Sequence, residues 1–544
     1  GSQNTFIGYQ SGDANTTANN NTTLGAFALG ANTTGAGNVA VGAYALDANT
    51  TASNNTAVGY NALGANTTGT GNVAVGMNAL DACTTSVSNT CIGNNAGGSI
   101  TTGNGENVCV GNNAAANMTT GQQNIFIGDN CAAAAAVTGT VNTIIGDNAG
   151  YDLTTGSSNV ALGGAALANT STGSNNVAIG YEALNAQSGN SNNVAVGGEA
   201  LKQCIGGSNV AVGYRAGDSV TTGHEQTLIG YYAGASITTG RSNISVGYES
   251  LLSCTTGTYN CAVGYEALRT SNGNYNVAVG HGALRYSSGT QAYNTAVGTS
   301  AMKFYTTGQY NTCVGHEAGR GHSTGSPGTG TENVFMGMGA GEDIRSASYC
   351  TGIGRAALRE INSSENSMGL GYNAGRDASP SGRIDTEDNV ICLGNNSISD
   401  LYCADTSISS SDSRDKTDVT NFTHGMDWVK QLRPVTYSWD KRSWYGSGIE
   451  GASDEFLGTP DGSKKKTKKH IGFLAQEVLA VEGNPTNKDD MLVVNLNCDD
   501  SAYGLKYERL VPVLVNALKE LSTKIDTLET ENTALKARVT TLEG

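Results

Sequence analysis

A glycine that follows an aliphatic residue returns every 16 to 18 residues along most of the chain, and this spacing restricts the possible folds. The unit Asn-x-small-aliphatic-Gly occurs 23 times between Gly8 and Gly394, and most spacings are 17 residues. The residue before the glycine is Val, Ile, Leu or Met in every copy, and the unit begins with Asn in 19 of the first 20 copies. Such a repeat predicts a solenoid in which each unit forms one coil.

Each unit is predicted to contribute one strand to a parallel β-stack. In residues 72–76, Val73 and Val75 fall on one face of a strand and Ala74 on the other. Because both faces are apolar or small, we expect both to be buried, as in parallel sheets. The small residues favour close approach of another chain, and the repeated Asn is expected to form a ladder. A second apolar segment such as Ala62-Leu63 closes each coil, before a turn rich in Thr, Gly and Asn.

The composition excludes several classes of protein. No run of about 18 apolar residues occurs, so a transmembrane helix is not expected. A net charge of −16 disfavours binding to nucleic acid or to an anionic membrane. With 6 histidines and no Cys-x-x-Cys pair, no metal or other cofactor is expected. The chain opens within a repeat, so we expect it to be a fragment or processed piece of a longer protein.

Cysteines and one basic run allow more than one interpretation. Cys91 and Cys109 occupy the same register in adjacent coils, within reach of a disulfide, but free thiols buried as small apolar residues are the favoured interpretation. The lysine-rich run 464–469 could be a nuclear signal or a polyanion patch. A solvated loop between two strands is the favoured interpretation.

The sequence changes character after Gly394. Residues 1–395 are predicted to form the repeat fibre and 396–410 a Ser- and Asp-rich linker, followed by a small α+β domain over 411–514. Residues 515–544 are predicted to form a coiled-coil helix with alternating spacings of three and four. Its seam consists of Leu518, Leu521, Ile525, Leu528, Asn532, Leu535, Val539 and Leu542. Ile and Val at a with Leu at d slightly favour two strands, whereas the fibre argument favours three; packing on its own domain is the alternative.

Four segments carry a resemblance to a known family: residues 411–416 (Ser-Asp-Ser-Arg-Asp-Lys), 432–439, 470–478 and 505–514. Their order resembles the C-terminal intramolecular chaperone of phage endosialidases and of other tail spikes and fibres. The same self-cleaving domain is seen in a membrane-tethered eukaryotic transcription factor. The repeats over 1–395 resemble the left-handed parallel β-roll heads of trimeric autotransporter adhesins, and also repeats of phage and large-virus fibres.

The resemblance implies a domain that trimerises, aligns the preceding fibre and then cuts itself off between Ser410 and Ser411. It implies Ser411 as the nucleophile and Lys416 as the general base, because a hydroxyl needs a base to attack a peptide. Asp412 is a further candidate in the site, although Asp412 and Arg414 more readily shape the turn. Spacing by itself favours polar residues in an exposed linker.

The leading functional hypothesis is a homotrimeric virion fibre, from a tail or capsid, that attaches to an unidentified host receptor or glycan. The alternative is a cellular surface adhesin or extracellular filament, for which Asn15 and Asn49 are formal glycosylation acceptors. A glycan-degrading spike is disfavoured because the repeats offer no paired catalytic carboxylates and the chain has only 3 tryptophans. Outside self-cleavage, no enzymatic turnover is expected. The longer insertions at 316–332 and 372–388 are the candidate receptor contacts.

Overall fold

The computed structural model describes residues 1–186, 189–287, 289, 291–322, 327–398, 416–441, 459–496 and 503–544. The chain divides into two compact units, residues 1–333 and 334–544. The fold is mainly β, with a parallel β-solenoid, a small α/β region and a long C-terminal helix. The predicted mainly β solenoid, the small α+β region and the C-terminal helix are therefore confirmed. The trimer, the coiled coil and the four-part domain division stay predictions.

The first unit is a stack of coils that each contain one strand of three residues. The strands pair in parallel, each with the next along the chain. The strands are β1 Thr5–Ile7, β2 Thr22–Leu24, β3 Val39–Val41, β4 Thr56–Val58, β5 Val73–Val75, β6 Thr90–Ile92, β7 Val108–Val110, β8 Ile125–Ile127, β9 Thr143–Ile145, β10 Val160–Leu162, β11 Val177–Ile179, β12 Val194–Val196, β13 Val210–Val212, β14 Thr227–Ile229, β15 Ile244–Val246, β16 Cys261–Val263, β17 Val277–Val279, β18 Thr295–Val297 and β19 Thr312–Val314.

The outer face of these strands is more exposed than the sequence predicted. Ala74, at the centre of β5, is fully buried inside its own coil, whereas Val73 and Val75 are only half-buried. Elsewhere on the outer face, Ile7 and Leu162 are 56% and 49% exposed. The expectation that both faces are buried, with the small residues facing another chain, is therefore wrong for the single chain. The alanine fills the narrow coil interior, and the described chain covers the aliphatic pair only in part.

The repeat glycine is required where successive coils approach most closely. Gly180 has φ +132°, a backbone conformation that side chains of L-residues rarely adopt. A Cβ there would lie 2.6 Å from the carbonyl carbon of Gly197 in the next coil. The regular spacing of the repeat glycine in the sequence therefore reflects backbone contact between successive coils.

The repeated asparagines form the predicted ladder inside the solenoid. Asn159 is fully buried, and its side-chain oxygen accepts a hydrogen bond of 3.0 Å from the backbone N–H of Asn176. Its amide nitrogen donates to the Asn142 side-chain oxygen at 3.1 Å and to the Gly173 carbonyl at 2.9 Å. The ladder satisfies polar groups that the coil interior shields from water.

The ten cysteines in the described part of the chain are free thiols, and nine of them are buried. Cys91 and Cys109 are register partners in β6 and β7, as predicted, and both are buried. Burial raises the pKa of Cys83, Cys204 and Cys254 to about 11. These thiols therefore act as small apolar side chains of the core, which was the favoured interpretation.

The second unit begins with four further parallel strands: β20 Val334–Met336, β21 Thr351–Ile353, β22 Met368–Leu370 and β23 Ile391–Leu393. Its C-terminal part contains α1 Met426–Val429, β24 Val435–Tyr437, β25 His470–Gly472, α2 Ala475–Val481, β26 Val494–Leu496, β27 Tyr503–Leu505 and α3 Leu510–Glu543. Strands β24 and β25 pair antiparallel, as do β26 and β27. Among the described residues, no helix has the length and apolar character that a membrane span requires.

The two longer insertions fold back onto the coils near them. In the first, the Tyr305 hydroxyl donates a 2.8 Å hydrogen bond to the carbonyl of Gly330, and Tyr305 is fully buried. In the second, Ile384 is buried, and Arg383 forms an ion pair of 2.9 Å with Asp377. Their role as receptor contacts stays a prediction.

Candidate chaperone and self-cleavage region

A small hydrophobic core holds the C-terminal elements together. Trp428 from α1, Val478 from α2, Val494 from β26, and Leu510 and Val513 from α3 are all buried in it. These positions lie far apart in the sequence, so the core depends on the return of α3 against the earlier elements. The domain thus has an ordinary compact core, as the change in composition predicted.

One carboxylate organises the segment that enters β26. Glu482, just after α2, accepts hydrogen bonds from three successive backbone N–H groups. The distances are 3.2 Å for Leu492, 2.6 Å for Val493 and 3.1 Å for Val494. Hydrogen bonds to a charged acceptor are stronger than neutral ones, so this contact fixes the loop between α2 and β26. No residue pattern in the sequence pointed to Glu482, because its partners are backbone groups.

The start of α3 is tied to the segment around α1. The Asn516 side chain donates a 2.6 Å hydrogen bond to the carbonyl of Phe422, and Glu520 accepts one of 2.8 Å from the backbone N–H of Met426. Through these contacts, the long helix is anchored to residues that lie shortly after the predicted cleavage motif.

The predicted seam of the long helix is left uncovered by the described part of the single chain. All eight predicted seam residues are exposed, with Leu518 65% and Leu542 85% accessible. The buried residues of α3 are Leu510, Val513 and Ala517. The helix does not pack its seam on its own domain, which was the alternative interpretation. A row of exposed leucines is unfavourable in water, and such a row is typical of a surface that associates with another helix.

Most of the predicted cleavage residues cannot be placed. Ser410, Ser411 and Asp412 lie outside the described residues, as does Arg414. Lys416 is described, and its side chain is exposed in the single chain. The structure therefore does not test whether Ser411 and Lys416 come together.

The lysine-rich run lies where the favoured interpretation put it. Residues 464–469 are the last part of the segment between β24 and its partner β25 and are exposed, and the backbone N–H of Lys466 donates to the Trp439 carbonyl at 2.9 Å. The described part of the chain holds no group of three or more His, Cys, Asp or Glu that is arranged to bind a metal ion.

Comparison with known families supports the C-terminal assignment. Residues 411–486 match the family Peptidase_S74, described as the chaperone of endosialidase. The match begins at Ser411 and extends past α2. No curated protein and no solved structure was found to match the chain. The protein thus combines a parallel β-solenoid with a chaperone-of-endosialidase domain.

Proposed function

We propose that the protein is a homotrimeric virion fibre, from a tail or capsid, that attaches to a host-cell receptor or glycan. In this proposal the C-terminal domain aligns three chains and then cuts itself off between Ser410 and Ser411. The observation that carries the proposal is the match of residues 411–486 to the endosialidase chaperone directly after a long solenoid. A chain of nearly identical coils gains most from such a device, because a slip by one coil costs little locally.

Association between chains is supported by the outer face of the solenoid. The positions one and three residues before the repeat glycine hold Val, Ile, Leu, Met, Thr or Cys in all 23 copies, and none is charged. In the first unit this row includes exposed Ile92, Ile125 and Leu162. A continuous uncharged row of this kind is unusual for a free surface. We assign it to contacts between subunits, in line with the exposed seam of α3.

The proposed cleavage is a single-turnover reaction. The Ser411 hydroxyl attacks the carbonyl carbon of Ser410 while Lys416 accepts its proton. The peptide C–N bond then breaks, the amino group of Ser411 takes up the proton, and water hydrolyses the resulting ester. A lysine is an effective base where its amine is desolvated. Because Lys416 is exposed in the single chain, we propose that neighbouring subunits cover it and that cleavage requires the trimer.

The first test is the intact mass under denaturing conditions. Wild type and the matched control Ser413→Ala are expected to give two fragments that meet at residues 410 and 411. Ser411→Ala is expected to leave the 55.5 kDa chain uncut. An uncut wild-type chain, or cutting in Ser411→Ala, contradicts the assigned roles.

The second test concerns assembly. The double variant Leu521→Asp/Ile525→Asp places charges on the seam and is expected to abolish both the trimer in native mass spectrometry and the cleavage. Thr527→Asp lies off the seam on the same helix and is the control. Cleavage in a monomeric variant would show that the base does not depend on the neighbouring subunits. A dimeric wild-type chain would contradict the trimer.

The alternative function is a cellular surface adhesin or filament with the same chaperone. One observation bears on its proposed glycosylation. Asn49 is fully buried, and its amide donates to Asn32 and to the Ala52 carbonyl at 2.9 and 3.1 Å. A glycan at Asn49 is therefore incompatible with the folded coil. Finding the protein in purified particles rather than on a cell surface would separate the two functions.

A further inference from the structure

Four consecutive coils carry a tyrosine at the same turn position, five residues before the repeat glycine. They are Tyr259, Tyr275, Tyr293 and Tyr310, here called the tyrosine ridge. Successive ring centroids lie 4.9, 5.0 and 5.0 Å apart, and the ring planes are within 10° of parallel. The four side chains are between 46% and 54% exposed. The ridge is thus a regular stack of aromatic rings on the surface of the first unit.

The fold does not require tyrosine at these positions. All four residues have φ between 56° and 59°, a region that small and short polar residues occupy more easily than bulky ones. Other coils place Asn54, Gly71 or Asn175 at the same position with φ between 58° and 70°. Within the described residues, the four phenol groups make no hydrogen bond to the protein. The tyrosines therefore occupy a backbone conformation that is unfavourable for bulky residues. Stacking between the rings offsets part of this cost, and the phenol hydroxyls take no part in it.

The coils that carry the ridge are uncharged around it, whereas charged residues flank its two ends. The N–H of Tyr259 donates to the carbonyl of Arg241 in the coil before, and the N–H of Glu332 in the coil after donates to the carbonyl of Gln309. The segments 257–263, 273–279, 291–297 and 308–314, which contain the four tyrosines, hold no charged residue. Thr258, Asn274 and Gln309 stand beside the tyrosines and supply hydroxyl and amide groups. Along these four coils the surface offers no row of charges to match nucleic acid, an anionic membrane or a charged peptide. Aromatic side chains with polar tips, next to neutral hydrogen-bonding groups, suit a ligand that presents both C–H surface and hydroxyls.

We propose that the tyrosine ridge binds a neutral linear glycan that lies along the stack of coils. The four rungs repeat at the strand spacing, so a polymer of repeating sugars meets the same contacts on each coil. Because the sugar units are covalently linked, weak contacts on successive coils together increase the affinity. The proposal rests on the attachment role proposed above, and it assigns that role to a site and to a class of ligand.

The test uses the full chain and isothermal titration with cellohexaose, chitohexaose and mannohexaose, and with a hexagalacturonate as an acidic comparison. The fourfold variant replaces each ridge tyrosine by Asn, which other coils carry at this position. The control is Tyr60→Asn/Tyr181→Asn, which changes two exposed tyrosines outside the ridge. At least one neutral hexasaccharide is expected to bind, at least tenfold more weakly to the fourfold variant and equally to the control.

Three results would overturn the proposal: no binding of any neutral hexasaccharide at millimolar concentration, binding of the acidic one alone, or wild-type binding by the fourfold variant. Native mass and cleavage are recorded on the same samples. If the chains form trimers but bind no neutral glycan, the ridge proposal is wrong and the assembly proposal is unaffected. If the chains bind a neutral glycan but neither trimerise nor cleave, the proposed assembly is wrong and the ridge proposal is unaffected.

Discussion

The asparagine ladder predicts a large local effect from one substitution, Asn159→Ala. The change removes the oxygen that accepts from the backbone N–H of Asn176, and the amide that donates to the Gly173 carbonyl. All three residues lie in the interior or its lining, where water does not replace the lost partner easily. The coil that follows Asn159 should therefore open more often than its neighbours.

The magnitude follows from the bonds that are lost. A buried N–H without a partner costs about 1–3 kcal/mol, and the lost bond to a carbonyl adds about 1 kcal/mol. The opening free energy should fall by about 2–4 kcal/mol. Because about 1.4 kcal/mol is a factor of ten, exchange of the Asn176 amide should accelerate about 30-fold to several hundred-fold, provided that it exchanges through local opening.

Hydrogen–deuterium exchange read by mass spectrometry, on peptides that cover residues 170–182, measures this effect. Asn159→Gln is the matched control, because Gln226 already fills the ladder position of another coil. There Gln226 accepts from the Asn243 N–H at 3.2 Å. Exchange that is unchanged in Asn159→Ala, or equally fast in Asn159→Gln, would refute the assignment of stability to the ladder.

Three further predictions concern other parts of the chain. Gly180→Ala should prevent stable folding because its Cβ meets the Gly197 backbone, whereas Gly282→Asn should be tolerated because its nearest neighbour is 3.9 Å away; thermal scans of the soluble protein compare them. Burial raises the pKa of Cys83 from 9.0 to about 11, so its thiol contributes stability below pH 9 that is lost as the pH rises through 11. Cys83→Asn, which introduces the residue that earlier coils carry at this position as Asn49 and Asn66, should flatten the dependence of the melting temperature on pH in this range. Glu482→Ala should lower the denaturant midpoint of the C-terminal domain, read by tryptophan fluorescence, and Glu482→Gln should lower it less; equal midpoints would contradict the role of the carboxylate.

Much of the fold could be predicted because the repeat reports backbone geometry directly. The positions of the repeat glycines predicted all the solenoid strands. Glycine is needed at these positions because a Cβ, for example at Gly180, would collide with the next coil. The seam of α3 could be predicted in the same way, because apolar residues spaced three and four apart define it whatever the partner is. Glu482 could not be found in this way: it binds backbone N–H groups, which every sequence offers.

The sequence by itself determined the length of the coil, the position of each strand, the family of the C-terminal domain and the seam of the last helix. These are local or periodic properties, and each depends on particular residue types at fixed spacing. Only the tertiary structure decided which side of each strand faces inward. Alternation separates Ala74 from Val73 and Val75, but both sides are apolar enough to be buried. Closure of the coil decided it, because its narrow interior admits the alanine and leaves the valines outside.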